Sequence, residues 1–260
     1  MTPLALGLAV MAVVMAALWL VQRRAGNAGI VDVGWSAGVG IVGVLAAALG
    51  AGWAPRRLLV GTMIALWSLR LATYILRRVV GEPEDGRYTR LREEWGEAFQ
   101  VRAFFFYQAQ AVLAALFAVP VWVVAGDARP GWGVAAAAGV VLWLLAVIGE
   151  SVADRQLARF RADPANRGRT CTVGLWRTSR HPNYFFEWLH WWAYVALGIG
   201  APLGWLTLVG PALMLLFLLK VTGVPATEAR ALLSRSDYAE YQRTTSAFIP
   251  WFPRRPSSGG

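Results

Sequence analysis

The sequence predicts an all-α, polytopic membrane protein of about seven transmembrane helices enclosing a polar cavity open to the cytosol. Three observations carry this expectation. Hydrophobic residues make up 57% of the chain and charged residues only 15%, well beyond ordinary globular usage. The apolar runs reach the roughly 20 residues needed to cross a hydrocarbon core of about 30 Å. The basic residues also alternate by side, as membrane topology requires.

The elements follow in order. Spans are expected at roughly 4–21, 30–52, 58–76, 104–125, 131–152, 185–200 and 203–221, the sixth being the shortest. The first has no basic residue before it and Arg23 and Arg24 after it, the pattern of an uncleaved anchor with its N-terminus outside. The second carries Gly38-Val39-Gly40-Ile41-Val42-Gly43. That run fits a dinucleotide fingerprint in letters alone, because no strand precedes it and no acidic residue follows about twenty positions on. Close helix packing through small residues explains it better.

The connection 77–103, "GEPEDGRYTRLREEWGEAF" at its centre, mixes acids and arginines at helical spacing. It reads equally as an interfacial amphipathic helix or as a solvated linker. The connection 153–184 is the second long one, and the turns on the other side are short. Residues 1–252 form a single domain in this reading, and 253–260 a disordered Pro/Ser/Gly tail. Cys171, the one cysteine, excludes an intrachain disulfide and a cysteine-based metal cluster, and no metal site is expected.

With the N-terminus outside, 21 of the 25 basic residues face the cytosol, against Arg56, Arg57 and Arg129 outside and Arg70 within a span. The net charge of +10 is thereby explained by orientation, and nucleic acid is not expected as a partner. The same rule places the C-terminus in the cytosol, in keeping with a bacterial inner-membrane protein.

A charge near the bilayer centre costs about 2.5–3.5 kcal/mol on insertion scales, so each ionisable group in a span calls for a reason. Here they fall in stripes. Asn183, Glu187, His190 and Tyr194 lie at i, i+4, i+7 and i+11 on one helical face. Glu150 and Asp154 are four apart, and Trp67, Arg70, Tyr74 and Arg78 repeat the spacing. Asp32 opens the second span, and Tyr107, Gln108 and Gln110 lie early in the fourth. Nearly all sit toward the cytosolic ends of their helices, which predicts one shared polar site. Pro182 suits the first turn of a helix whose free N–H groups face a loop carrying Arg169, Arg177 and Arg180, an arrangement fit for an anion.

"GLWRTSRHPNYFFEW" (174–188) and "DYAEYQRTTSAFIPWFP" (237–253) resemble the closing motifs of the membrane steroid 5α-reductase and sterol reductase superfamily. Together with "GEPEDGRYTRLREEWG", they resemble its bacterial branch over roughly residues 30–253. The resemblance implies a seven-helix enzyme that binds NADPH from the cytosol and reduces a carbon–carbon double bond of a steroid-like or other lipid. It implies cofactor contacts at Asn183, Tyr184, Glu187, Asp154 and Arg70, with looser matches at Arg161, Glu228, Arg230, Tyr238 and Tyr241. The loop arginines Arg177 and Arg180 join them as phosphate ligands. Tyr74, Tyr107 and Asp32 are the candidates for proton donation or carbonyl polarisation. Phe186 stands where the family pattern has glycine and Trp67 where it has tyrosine, and the second span lacks the Gln…Glu pair of the steroid enzymes. The same Arg-His-Pro-x-Tyr core occurs in membrane isoprenylcysteine carboxyl methyltransferases, which makes an S-adenosylmethionine-dependent methyltransferase the alternative. A non-catalytic scaffold is the third reading.

Overall fold

A computed structural model describes residues 2–254. Among them there are only helices and connections, and six helical stretches are long and apolar enough to cross a membrane. These are Pro3–Ala25, Ile30–Leu49, Ala54–Gly81, Gly86–Gly126, Val134–Ala162 and Gly204–Ser234. The expected sixth span is a helix of 16 residues, Pro182–Leu197, about 24 Å long at 1.5 Å per residue, which is why it falls short of the other six. The tail expected from Pro253 lies, from residue 255 onward, outside the described residues. Arg254 still donates its N–H to the Thr244 carbonyl at 2.8 Å.

The chain divides into two compact units, Met1–Gly131 with Gly198–Gly210, and Trp132–Leu197 with Pro211–Gly260. The first unit contains α1 (Pro3–Ala25), α2 (Ile30–Leu49), α3 (Ala54–Gly81), α4 (Gly86–Trp95), α5 (Phe99–Phe117) and α6 (Val119–Gly126). Thr2 caps α1 by accepting from the Ala5 N–H, and Gly26 ends it with φ at 73°, a left-handed conformation that glycine adopts without penalty.

The glycines of α2 are packing surfaces on two sides. A Cβ on Gly38 would lie 2.2 Å from the Met11 Cε of α1, and one on Gly40 would lie 2.2 Å from the Ser68 Oγ of α3. The Ser68 hydroxyl in turn donates to the Ser36 carbonyl at 2.7 Å. Polar side chains tie α5 to α1: Gln22 donates to Gln100 at 2.7 Å, and Gln108 to the Ala12 carbonyl at 3.2 Å.

At the end of α2 and start of α3, the arginines that depart from the basic-residue pattern have structural work. Arg57 donates to the last carbonyls of α2, those of Ala47 and Ala48. Arg56 and Arg129 both pair with Asp127, at 3.3 and 2.8 Å.

The second unit contains α7 (Val134–Ala162), α8 (Pro182–Leu197), α9 (Val209–Leu216, completed from Pro211), a π-helical turn at Phe217–Val221, α10 (Val224–Ser234) and α11 (Tyr238–Thr244). Gly139 of α7 lets the helix approach the Ala193 backbone of α8, where a Cβ would stand 2.8 Å from the carbonyl oxygen. The connection from α7 to α8 is pinned by Trp176, whose indole N–H donates to the Ala153 carbonyl at 2.9 Å, and by Gln156, which accepts from the Leu175 N–H at 2.9 Å. The final segment folds back over this connection. Arg180 N–H donates to the Ser246 carbonyl, Trp251 N–H to that of Thr178, and the Ser179 hydroxyl to that of Phe248.

Candidate functional site

In the second unit, Pro182 occupies the first position of α8, as its lack of an N–H allows. The next residue, Asn183, donates from its amide to the Asp154 carboxylate of α7 at 3.3 Å. Asp154 and Glu187 are both buried, at 8% and 7% exposure, and His190 and Tyr194 follow fully buried on the same helix. The expected stripe thus exists as a buried polar face on α8, joined to α7 at its N-terminal end.

Tyr184, beside Asn183, stacks on the His181 ring with centroids 5.1 Å apart, and its hydroxyl meets that of Thr227 at 3.2 Å. Its neighbour Phe186 lies against Gly149, where a Cβ would be 2.4 Å from the ring. The phenyl group at the position where the family pattern has glycine is therefore accommodated by a glycine on α7.

Arg180, expected at the phosphates, is instead committed inside the protein. Its guanidinium pairs with Glu228 at 2.7 Å and donates to the Gln242 and Thr245 carbonyls at 2.7 and 2.8 Å. Glu228 also accepts from Gln242 and lies 3.1 Å from the His181 Nε2. These bonds lock α10 and α11 onto the start of α8. Tyr238 and Tyr241 belong to the same structure and are buried with Ala231. The Tyr241 hydroxyl donates to the Trp176 and Ser179 carbonyls, and burial pushes both phenols up, so that each remains a neutral donor. Arg177 and Arg230 are exposed.

Arg161 occupies a different place. With Arg167, Arg169 and Arg235 it lines a cleft of about 400 Å³, whose wall also includes Leu157, Phe160 and Cys171. Arg235 carries no signal in "LLSRSDY" that would associate it with Arg161, because only the fold brings positions 161 and 235 to one cleft. Among the described residues no set of three His, Cys, Asp or Glu side chains is arranged to hold a metal ion.

In the first unit the candidates sit around the start of α2. The Asp32 carboxylate accepts from the Tyr88 hydroxyl at 2.7 Å and pairs with Arg87 at 3.0 Å. Tyr107, 1% exposed, donates to the Ala28 carbonyl at 2.9 Å. Glu84 accepts from the Ala28 N–H at 2.7 Å and from Arg92 at 3.1 Å. The mixed-charge connection is therefore helical, as α4, and its arginines and Tyr88 dock it on α2. The Arg87 and Tyr88 contacts were not legible in the sequence, since charges at helical spacing equally describe a solvated face. Tyr74 and Arg70 lie on α3, Tyr74 39% exposed and Arg70 half-buried.

The model of the family described as "Protein of unknown function (DUF1295)" matches residues 18–245. The chain belongs to this family. The match reaches both units, with α2 to α11 and all fifteen candidate residues inside it. No curated protein and no solved structure matches the chain.

Proposed function

We propose that this DUF1295 protein is a membrane oxidoreductase that takes NADPH from the cytosol and reduces a carbon–carbon double bond, conjugated to a carbonyl, in a steroid-like or other lipid. The observation that carries this reading is the Asn183–Asp154 contact at the start of α8, one helical turn before buried Glu187. Ionisable groups buried within apolar membrane helices mark functional sites. The residues fit the cofactor's chemistry. An amide that can donate and accept, and carboxylates that accept from ribose hydroxyls or a carboxamide, are joined by a loop whose arginines attract phosphates. NADPH supplies the hydride.

The chain's own residues bind, orient and exclude water. Asp154 holds the Asn183 amide in one orientation, and the amide oxygen, which accepts from the Tyr184 N–H at 3.1 Å, has a second lone pair for a ligand donor. Glu187 supplies a negative charge in a dry setting, where a hydrogen bond to it is strong. Of the three candidates for the lipid's carbonyl, Tyr107 is engaged with a backbone carbonyl and Asp32 with Tyr88 and Arg87. Tyr74, on α3 and 39% exposed, is the third. The arginine distribution supports the cytosolic face of a bacterial inner membrane as the side on which these events occur.

The test is thermal unfolding of the detergent-solubilised protein with NADPH, NADH or S-adenosylmethionine. NADPH is expected to stabilise by about 2.7 kcal/mol at a hundredfold excess over its dissociation constant, and NADH by much less. Glu187→Gln is expected to keep the fold while weakening NADPH binding by about 1.5–3 kcal/mol, the value of a charge-assisted hydrogen bond. Stabilisation by S-adenosylmethionine without response to NADPH transfers the reading to the methyltransferase. Silence toward both leaves the scaffold.

A further inference from the structure

The cleft at the C-terminal end of α7 differs from the rest of the arginine-rich surface in construction. Arg161 stands on the last turn of α7, Arg167 and Arg169 on the turn that follows, and Arg235 beyond the end of α10. Two separate segments thus contribute to one concavity. They are stapled to each other beside it: Asp237 accepts from both the N–H and the hydroxyl of Thr170, the former at 3.0 Å. Burial opposes the Asp237 charge, but the two Thr170 bonds, its own backbone N–H and the nearby Arg235 together outweigh it and hold the carboxyl below its ordinary value, so the staple is in place at neutral pH.

The charge balance of the cleft is one-sided. Asp163 is the single acid on its wall, and its carboxylate already accepts from the Ala165 N–H at 2.9 Å. Among the described residues none of the four guanidinium groups forms an ion pair, in contrast to Arg56, Arg78, Arg87, Arg92, Arg129 and Arg180. Burial is the first cause that lowers the Arg235 pKa, and repulsion from Arg161 adds to it, only partly offset by Tyr238 and Asp237. Like charges held together by the fold are a standing cost that an anion removes. A divalent oxyanion suits guanidinium forks. The apolar wall of Leu157 and Phe160 suits a carbon substituent on it, and a volume near 400 Å³ admits a sugar or glycerol as well as the phosphate.

We propose that this cleft is a binding site for a phosphate ester, gripped by Arg161, Arg167, Arg169 and Arg235. The assignment rests on the cleft alone. Two sources carry the required chemistry, a ribose 2′-phosphate such as that of NADPH and the headgroup of an anionic phospholipid. The second fits in position, since basic pockets at the cytosolic ends of spans are where such headgroups bind.

The experiment uses the full chain in detergent and in lipid nanodiscs. Calorimetry with adenosine 2′-monophosphate, and with adenosine as the phosphate-free control, tests the first source. Thermal stability in phosphatidylglycerol against phosphatidylcholine nanodiscs tests the second. Arg161→Gln and Arg167→Gln, both at exposed positions, and Arg235→Gln are expected each to weaken the productive ligand by about tenfold. Arg159→Gln, an exposed arginine of α7 outside the cleft, is expected to leave it unchanged. Binding of the nucleotide with loss in the cleft variants supports the site and the soluble source. Stabilisation by phosphatidylglycerol alone, lost in the same variants, supports the site with a lipid source. Wild-type protein that responds to neither ligand, or cleft variants that respond as wild type does, overturns the proposal. A cleft that binds the nucleotide in a protein indifferent to NADPH over NADH retains the site while the reductase reading falls.

Discussion

Asp127 has no exposed side-chain surface and holds two arginines, one buried and one half-exposed. It also organises the chain around itself. Trp53 N–H donates to its carbonyl, while Arg129 N–H donates to its carboxylate and the Arg129 guanidinium reaches on to the Ile199 carbonyl. The Arg129 hydrogen bonds are the first cause that holds the Asp127 pKa below the ordinary carboxylate value, with Arg56 adding to them against burial. A depressed folded-state pKa means that the stabilisation is present above the unfolded value of about 4 and is lost as pH falls through the folded value. Asp127→Asn is therefore expected to cost about 1–3 kcal/mol at pH 7. Melting curves of the two proteins should converge below pH 4, and a constant gap between them across that range would exclude an ionised Asp127 as the source.

The helix pairs of the first unit depend on absent side chains. Gly40 faces Ser68 so closely that an added Cβ would stand 2.2 Å from the hydroxyl oxygen and 2.4 Å from the Ser68 Cβ. That contact leaves no flexible group to yield, and it abuts the Ser68 hydrogen bond to α2. Gly40→Ala is expected to destabilise by about 1–3 kcal/mol through overpacking. Gly81→Ala, at the end of α3 with nothing within 4 Å of its Cβ position, should be neutral or slightly stabilising by helix propensity. Equal melting temperatures for the two variants would show that the α2–α3 contact does not govern unfolding.

At the scale of the whole molecule, the arginine distribution predicts an orientation. With 21 of 25 basic residues assigned to one side, the N-terminus is expected outside and the C-terminus in the cytosol. The arginines assigned to the outside weaken this little, because Arg56, Arg57 and Arg129 are engaged with Asp127 or with the ends of α2. A reporter fused after Pro253 in a bacterial host should be active only if it is a cytosolic reporter. Activity of a periplasmic reporter there would mean an even number of crossings, with the 16-residue α8 as the first helix to reconsider.

The all-helical class and the long apolar spans were legible in the sequence, because apolar run length is a local property; the seventh expected span is the 16-residue α8, shorter than the other six. The Asn183–Glu187–His190–Tyr194 face was legible too, since helical periodicity alone places those residues together. What each arginine does was not. Arg177, Arg180 and Arg161 look alike in the sequence, yet Arg180 is consumed by Glu228 and two carbonyls while Arg161 lines a cleft with Arg235, some seventy positions away. A long, flexible cation takes whichever partner the fold brings near, and that choice is made by long-range packing. The sequence by itself determined a helical membrane protein and its polar stripes; only the tertiary structure decided which charges are bound within the protein and which line an open cleft.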